Sequence, residues 1–95
     1  MKANDLPPWL TPEITHVTWE SETRHYGIRI SPNLWGELEL HKEWGGRFSR
    51  RGNSMVMPVL NAQQAQRLIA QENLRRVRRG YKMRVIAENV AHGAT

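Results

Sequence analysis

Helical periodicity occurs once in this chain, between Asn61 and Gly80, and the stretch before it alternates at period two. One amphipathic helix cannot bury its own apolar stripe, and a few half-buried strands cannot either, so each must cover the other. That predicts an α+β domain: an antiparallel β-sheet of four to five strands with one long amphipathic α-helix packed on one face. A chain of 95 residues has room for a single small core. It contains no cysteine, so no disulfide, thiolate metal site or thiol nucleophile is available, and the fold rests on packing.

The helix is defined by its ends. Asn61 stands as N-cap with Gln64 three residues on in the capping-box position, and Gly80 as the left-handed residue past the last turn. About 18 helical residues lie between them, roughly 27 Å at 1.5 Å per residue. Ala62, Ala65, Ile69 and Val77 fall on one side, flanked by Leu68 and Leu74, and this side is expected to pack on the sheet. Arg67, Arg75 and Arg78 project roughly opposite, with Arg76 and Arg79 nearer the seam.

Ahead of the helix, residues 14–20 alternate with Thr15, Val17 and Trp19 on one face and His16 and Thr18 on the other. Residues 24–30 repeat the pattern with Tyr26, Ile28 and Ile30 inward. Ser31-Pro32-Asn33 is a turn signal, and residues 35–44 read as a third strand with Leu38 and Leu40 inward and Glu37 and Glu39 in water. These three strands make an antiparallel meander. Residues 54–60 form a fourth strand, which Pro58 confines to an edge or to its own end, and residues 81–87 a last strand returning to the sheet. Residues 1–13 read as an extended, proline-containing arm, 14–87 as one domain and 88–95 as a flexible tail.

Charge is segregated along the chain. Up to Gly46 there are four basic residues (Lys2, Arg24, Arg29, Lys42) against seven acidic ones; from Arg47 to Arg84 there are ten basic residues and one acid, Glu72. Such a division inside one domain suggests a footprint for an acidic partner, nucleic acid above all. Arg outnumbers Lys 11 to 3, as bidentate phosphate recognition favours. Arginines in the last helical turns also complement the macrodipole, which accounts for two or three of them. It does not account for Arg75, Arg76, Arg78, Arg79, Lys82 and Arg84 together, because like charges at this density repel.

One motif joins this charge to an aromatic ring: Glu43-Trp44-Gly45-Gly46-Arg47-Phe48-Ser49-Arg50-Arg51-Gly52. A tryptophan face can stack on a base or sugar, glycines let backbone approach a ligand, and arginines grip phosphate oxygens. The same residues also fit a strand end followed by a bend, with the ring buried. The ordered series of Tyr26 in a strand, a second strand running into Trp44-Gly45, an arginine, a basic loop closed by Gly52-Asn53, a strand, an amphipathic helix and Gly80-Tyr81 resembles the WGR domain. That family occurs in DNA-damage-responsive poly(ADP-ribose) polymerases and in bacterial proteins, including small stand-alone ones. The resemblance covers residues 23–83. This chain has one glycine more than the usual Trp-Gly-Arg-Ile/Val-Gly-x-x-Gly, Arg47 takes the motif arginine's place, Phe48 follows it, and Ser49 replaces a glycine.

The resemblance implies a sheet covered by one helix and a role in binding DNA ends or breaks. By the same resemblance Trp44 stacks, Arg47 meets phosphate or a partner surface, and Tyr81 meets a terminal phosphate. With the charge pattern, the expected DNA-binding residues are Trp44, Gly45, Arg47, Arg50, Arg51, Arg75, Arg76, Arg79, Tyr81 and Lys82. Nothing resembles a groove-reading helix, so sequence preference should be weak. A protein-interaction or regulatory adaptor is the alternative. RNA ranks lower, since the sheet lacks paired exposed aromatics.

Catalysis is not expected. No Ser/His/Asp order or phosphate-cradling Gly-Lys-Ser/Thr loop occurs, and Glu37 and Glu39 alternate along a strand beside water. His16, His25, His41 and His92 lack metal-ligand spacing and read as surface or strand residues, while Trp9, Trp19 and Trp35 read as packing residues. No cofactor, metal, membrane or small-molecule substrate is implied. A cytoplasmic location is expected, nucleoid-associated if the chain binds DNA.

Overall fold

A computed structural model describes residues 6–49 and 51–88. Strands β1 (Ile14–Glu20), β2 (Arg24–Pro32), β3 (Leu38–Gly46) and β4 (Gly52–Pro58) precede helix α1 (Ala62–Arg78), and β5 (Lys82–Glu88) follows it. All pairings are antiparallel in one five-stranded sheet of order β4-β3-β2-β1-β5. The α+β architecture is therefore that of a meander extended at one edge by β4 and closed at the other by the strand after the helix. The expected tail lies outside the described residues except for Glu88, which belongs to β5.

The helix covers one face. Beneath it lie Val17 and Trp19, both at 0 % exposure, with Ile28 and Leu40; Ala65 and Ile69 meet them from the helix, and Tyr26, Ile30 and Met83 pack around them. Of the segment expected as an extended arm, residues 6–13 join this core in tight turns, and residues 1–5 lie outside the described residues. Leu10 N–H donates to Pro7 O (3.0 Å), Leu10 is buried, and Gln66 Nε2 donates to Leu10 O (3.0 Å).

Both helix ends follow their residues. Asn61 Oδ1 accepts from Gln64 N (2.9 Å), while Gln64 Oε1 reaches back to Leu60 N (2.7 Å), one residue outside the cap. At the other end Gly80 N donates to Val77 O and Tyr81 N to Arg76 O, both at 3.0 Å, with Gly80 at φ +86°: a Schellman closure.

Four details differ from the periodic reading. In β1 the buried residue is Ile14 rather than Thr15, because the β1–β5 register slips between Ile14 and Val17 and brings both inward across three residues. The turn falls later than Ser31: β2 runs through Pro32, Asn33 Oδ1 accepts from Trp35 N and Glu37 N (both 2.9 Å), and Gly36 takes φ +82°. Trp35, expected as a packing residue, consequently sits at a hairpin tip, 80 % exposed and outside the core. Val77 is 51 % exposed, because α1 turns Glu72, Asn73 and Arg76 to the sheet in its C-terminal half.

Candidate nucleic-acid interface

Three loops converge at one end of the sheet: the β1–β2 turn, the start of the β3–β4 loop and the α1–β5 turn. Arg47 is anchored there twice, its N–H donating to Thr23 O (2.7 Å) and its Nη1 to Ser21 O (3.3 Å). Ser21 Oγ accepts from Thr23 N and Arg24 N and so fixes the turn that receives it. The Schellman closure delivers Arg79 and Gly80 to the same place. Beyond it, alternation along β5 sends Lys82 and Arg84 to the face away from the helix while Met83 and Val85 pack inward. The result is an open groove walled by Thr18, Glu20, Ser21, Glu22, Thr23, Arg47, Arg79, Gly80, Lys82, Met83 and Arg84.

Four cations and two carboxylates thus share one concavity. The helix C-terminus adds about half a negative charge, which Arg75, Arg76 and Arg78 in the last turn offset. The groove remains net positive.

The candidate residues divide. Arg47, Arg79 and Lys82 are brought together, and Arg84, outside the expected set, joins them; its signal was its two-residue spacing from Lys82 on an alternating strand. Arg51 and Arg75 are exposed but do not wall the groove, and Arg75 Nη1 lies 3.7 Å from Glu72 Oε1. Arg50 lies outside the described residues.

Arg76 is not a surface ligand at all. It is 4 % exposed, with its guanidinium carbon 4.0 Å from the centroid of Tyr26 and 5.3 Å from that of Tyr81. Its Nε lies 2.8 Å from Glu72 Oε2, but the N–H direction misses the oxygen, so the contact is an ion pair without a hydrogen bond. Lys42 Nζ donates to Glu72 Oε1 at 3.1 Å. A buried carboxylate is thereby held between two cations from different elements, tying α1 to β3. Tyr81 is half-buried, edge-on to Tyr26 at 5.6 Å between centroids, and serves this packing.

Trp44 faces the helix side. In register with Tyr26 and Asn53, and with Trp19 beyond Tyr26, it is half-buried and has Lys42 Nζ 5.8 Å from its ring centre. It does not reach the groove. The ring that stands free beside Arg47 is Phe48, 85 % exposed, with the Arg47 guanidinium 5.5 Å from its centroid. Gly45 serves a close approach: a Cβ there would lie 3.1 Å from Arg51 O and 3.2 Å from the Gly52 Cα. Gly46 has no positive φ and lengthens β3 by a residue paired with Arg24. Ser49 has none either; its N–H donates to Gly46 O (3.2 Å) and its Oγ accepts from Arg51 N (3.0 Å), so the loop is rebuilt around serine.

His16, His25 and His41 lie on the open face, and among the described residues no three His, Asp or Glu side chains could hold a metal ion; His92 is outside them. No helix among the described residues is long and apolar enough to cross a membrane. No family model, curated protein or solved structure matches the chain.

Proposed function

We propose that this chain is a non-catalytic, WGR-like DNA-binding module that takes up duplex ends or nicks through phosphate contacts, with weak sequence preference. The observation that carries the proposal is the convergence of Arg47, Arg79, Lys82 and Arg84 from three separate segments on one groove. Guanidinium and ammonium groups spread over an open concavity suit consecutive phosphates better than a single small anion. The stacking part passes from Trp44, held on the helix side, to Phe48 at the groove's margin, because a terminal base needs an uncovered ring. Tyr81 and Arg76 act indirectly, by fixing the turn that presents Arg79.

The test is a fluorescence titration with 5′-phosphorylated blunt duplex, single strand and closed circular duplex. The expected result is preference for the open duplex, lost on Phe48→Ala while binding to the circle is retained. Equal loss on both substrates contradicts the stacking role.

An adaptor role is the second reading, favoured by the hairpin tip at the opposite end of the sheet. There Leu34 and Trp35 stand exposed on a turn held by Asn33, as apolar anchors for a protein partner. Failure of all three nucleic acids to bind at low salt favours it.

A further inference from the structure

We propose that the outer edge of β4 pairs with β4 of a second copy of this chain, in antiparallel fashion about a two-fold axis, to give a continuous ten-stranded sheet.

The ladder geometry identifies which groups are free. Val59 N–H donates to Leu38 O (3.1 Å), and this pair continues the register in which Leu40 faces Met57, Lys42 faces Met55 and Trp44 faces Asn53. Bonded and non-bonded pairs alternate in an antiparallel ladder. Met57, Met55 and Asn53 therefore bond to β3, while Gly52, Ser54, Val56 and Pro58 turn their main-chain groups outward. Among the described residues nothing pairs with that side, since β4 ends the sheet. Pro58 fits this arrangement: the donor it lacks would have pointed out, so the β3–β4 ladder loses nothing.

The two edges of the sheet are treated differently. β5 carries Lys82, Arg84 and Glu88, the usual defence of an edge against further pairing. β4 carries no charge, and no charged residue occurs from Gly52 to Gln66. Met55 and Val56 are about half exposed on its two faces, one on each. An uncharged strand with open donors and acceptors is a template for another strand.

Charge selects the second copy and its direction. Arg51 precedes β4, so a parallel partner would set Arg51 beside its counterpart. Antiparallel pairing about Ser54 sets Arg51 opposite Met57 of the second copy and separates the two arginines by six residues, roughly 20 Å, well beyond a Debye length of about 8 Å. With Ser54 opposite Ser54 of the second copy, Gly52 and Val56 exchange both bonds across the axis and no donor is wasted on Pro58. The copy offers the same uncharged face in return. A two-fold contact of this kind is self-complementary and closes at the dimer, since β5 is protected. It also points the two basic grooves in opposite directions, so that one dimer could hold two DNA ends.

One seven-residue strand pair buries less than about 1,200 Å2, the lower end of the standard interface range, so association is expected to be weak and concentration-dependent, roughly micromolar. Sedimentation equilibrium of the DNA-free chain tests it, independently of any nucleic-acid binding. The expected result is a monomer–dimer equilibrium that Ser54→Pro and Val56→Lys each weaken by roughly tenfold or more, with unchanged circular dichroism. Ser54→Pro is the sharper variant, because it removes an outward N–H and no β3–β4 bond. Arg84→Ala, on the opposite edge, should leave the equilibrium unaltered. A monomer at every concentration, or a dimer indifferent to both β4 variants, overturns the proposal.

Discussion

Two arginines three positions apart have opposite fates. Arg76 lies under the helix against Tyr26 and Glu72, and Arg79, just past the last turn, opens onto the groove. Arg76→Ala leaves buried Glu72 with Lys42 and the more distant Arg75, and it empties the space beside Tyr26 and Tyr81; urea denaturation should register a loss of about 3 kcal/mol. Arg79→Ala should change stability by less than about 0.5 kcal/mol and reduce DNA affinity instead. The sequence placed both near the seam between helix and sheet. It could not separate them, because the partner that draws Arg76 inward is a carboxylate, and no apolar pattern marks an inward Glu72. Trp44 had two readings for a related reason: alternation assigns a face, but whether that face is covered depends on how far α1 extends across it.

Secondary-structure elements were more legible, since strand alternation and helix caps are local. Asn61 and Gly80 mark the ends of α1 because each satisfies main-chain groups that nothing else reaches. Asn61→Ala should destabilise by about 1 kcal/mol in the same denaturation assay. Gly80→Ala should cost roughly 1–2 kcal/mol for left-handed backbone alone, because no atom lies within 4 Å of where its Cβ would stand. Two departures came from outside the local pattern. Ser31-Pro32 resembles a stop and so predicts Trp35 within a strand, whereas Asn33 makes the turn with its own side chain. A period of two continued through β1 predicts Thr15 inward, whereas a bulge against β5, distant in sequence, turns Ile14 in instead.

The fold gathers what the chain keeps apart. Arg47 precedes β4, Arg79 and Lys82 flank the α1–β5 turn, and only the closing of β5 onto β1 puts them around one groove. Charge segregation along the sequence indicates a basic region, but among the described residues the groove uses four of its nine cations, and it borrows Glu20 and Glu22 from the acidic half. In the proposed function those four cations meet phosphate. The most direct test is the salt dependence of binding to a 5′-phosphorylated blunt duplex, measured for the wild type and for Arg79→Ala and Lys82→Ala. Four neutralised phosphates predict a log–log slope of about −3.6, with each substitution making it shallower by about one. No binding at low salt, or a slope that neither substitution changes, would contradict the groove as the site.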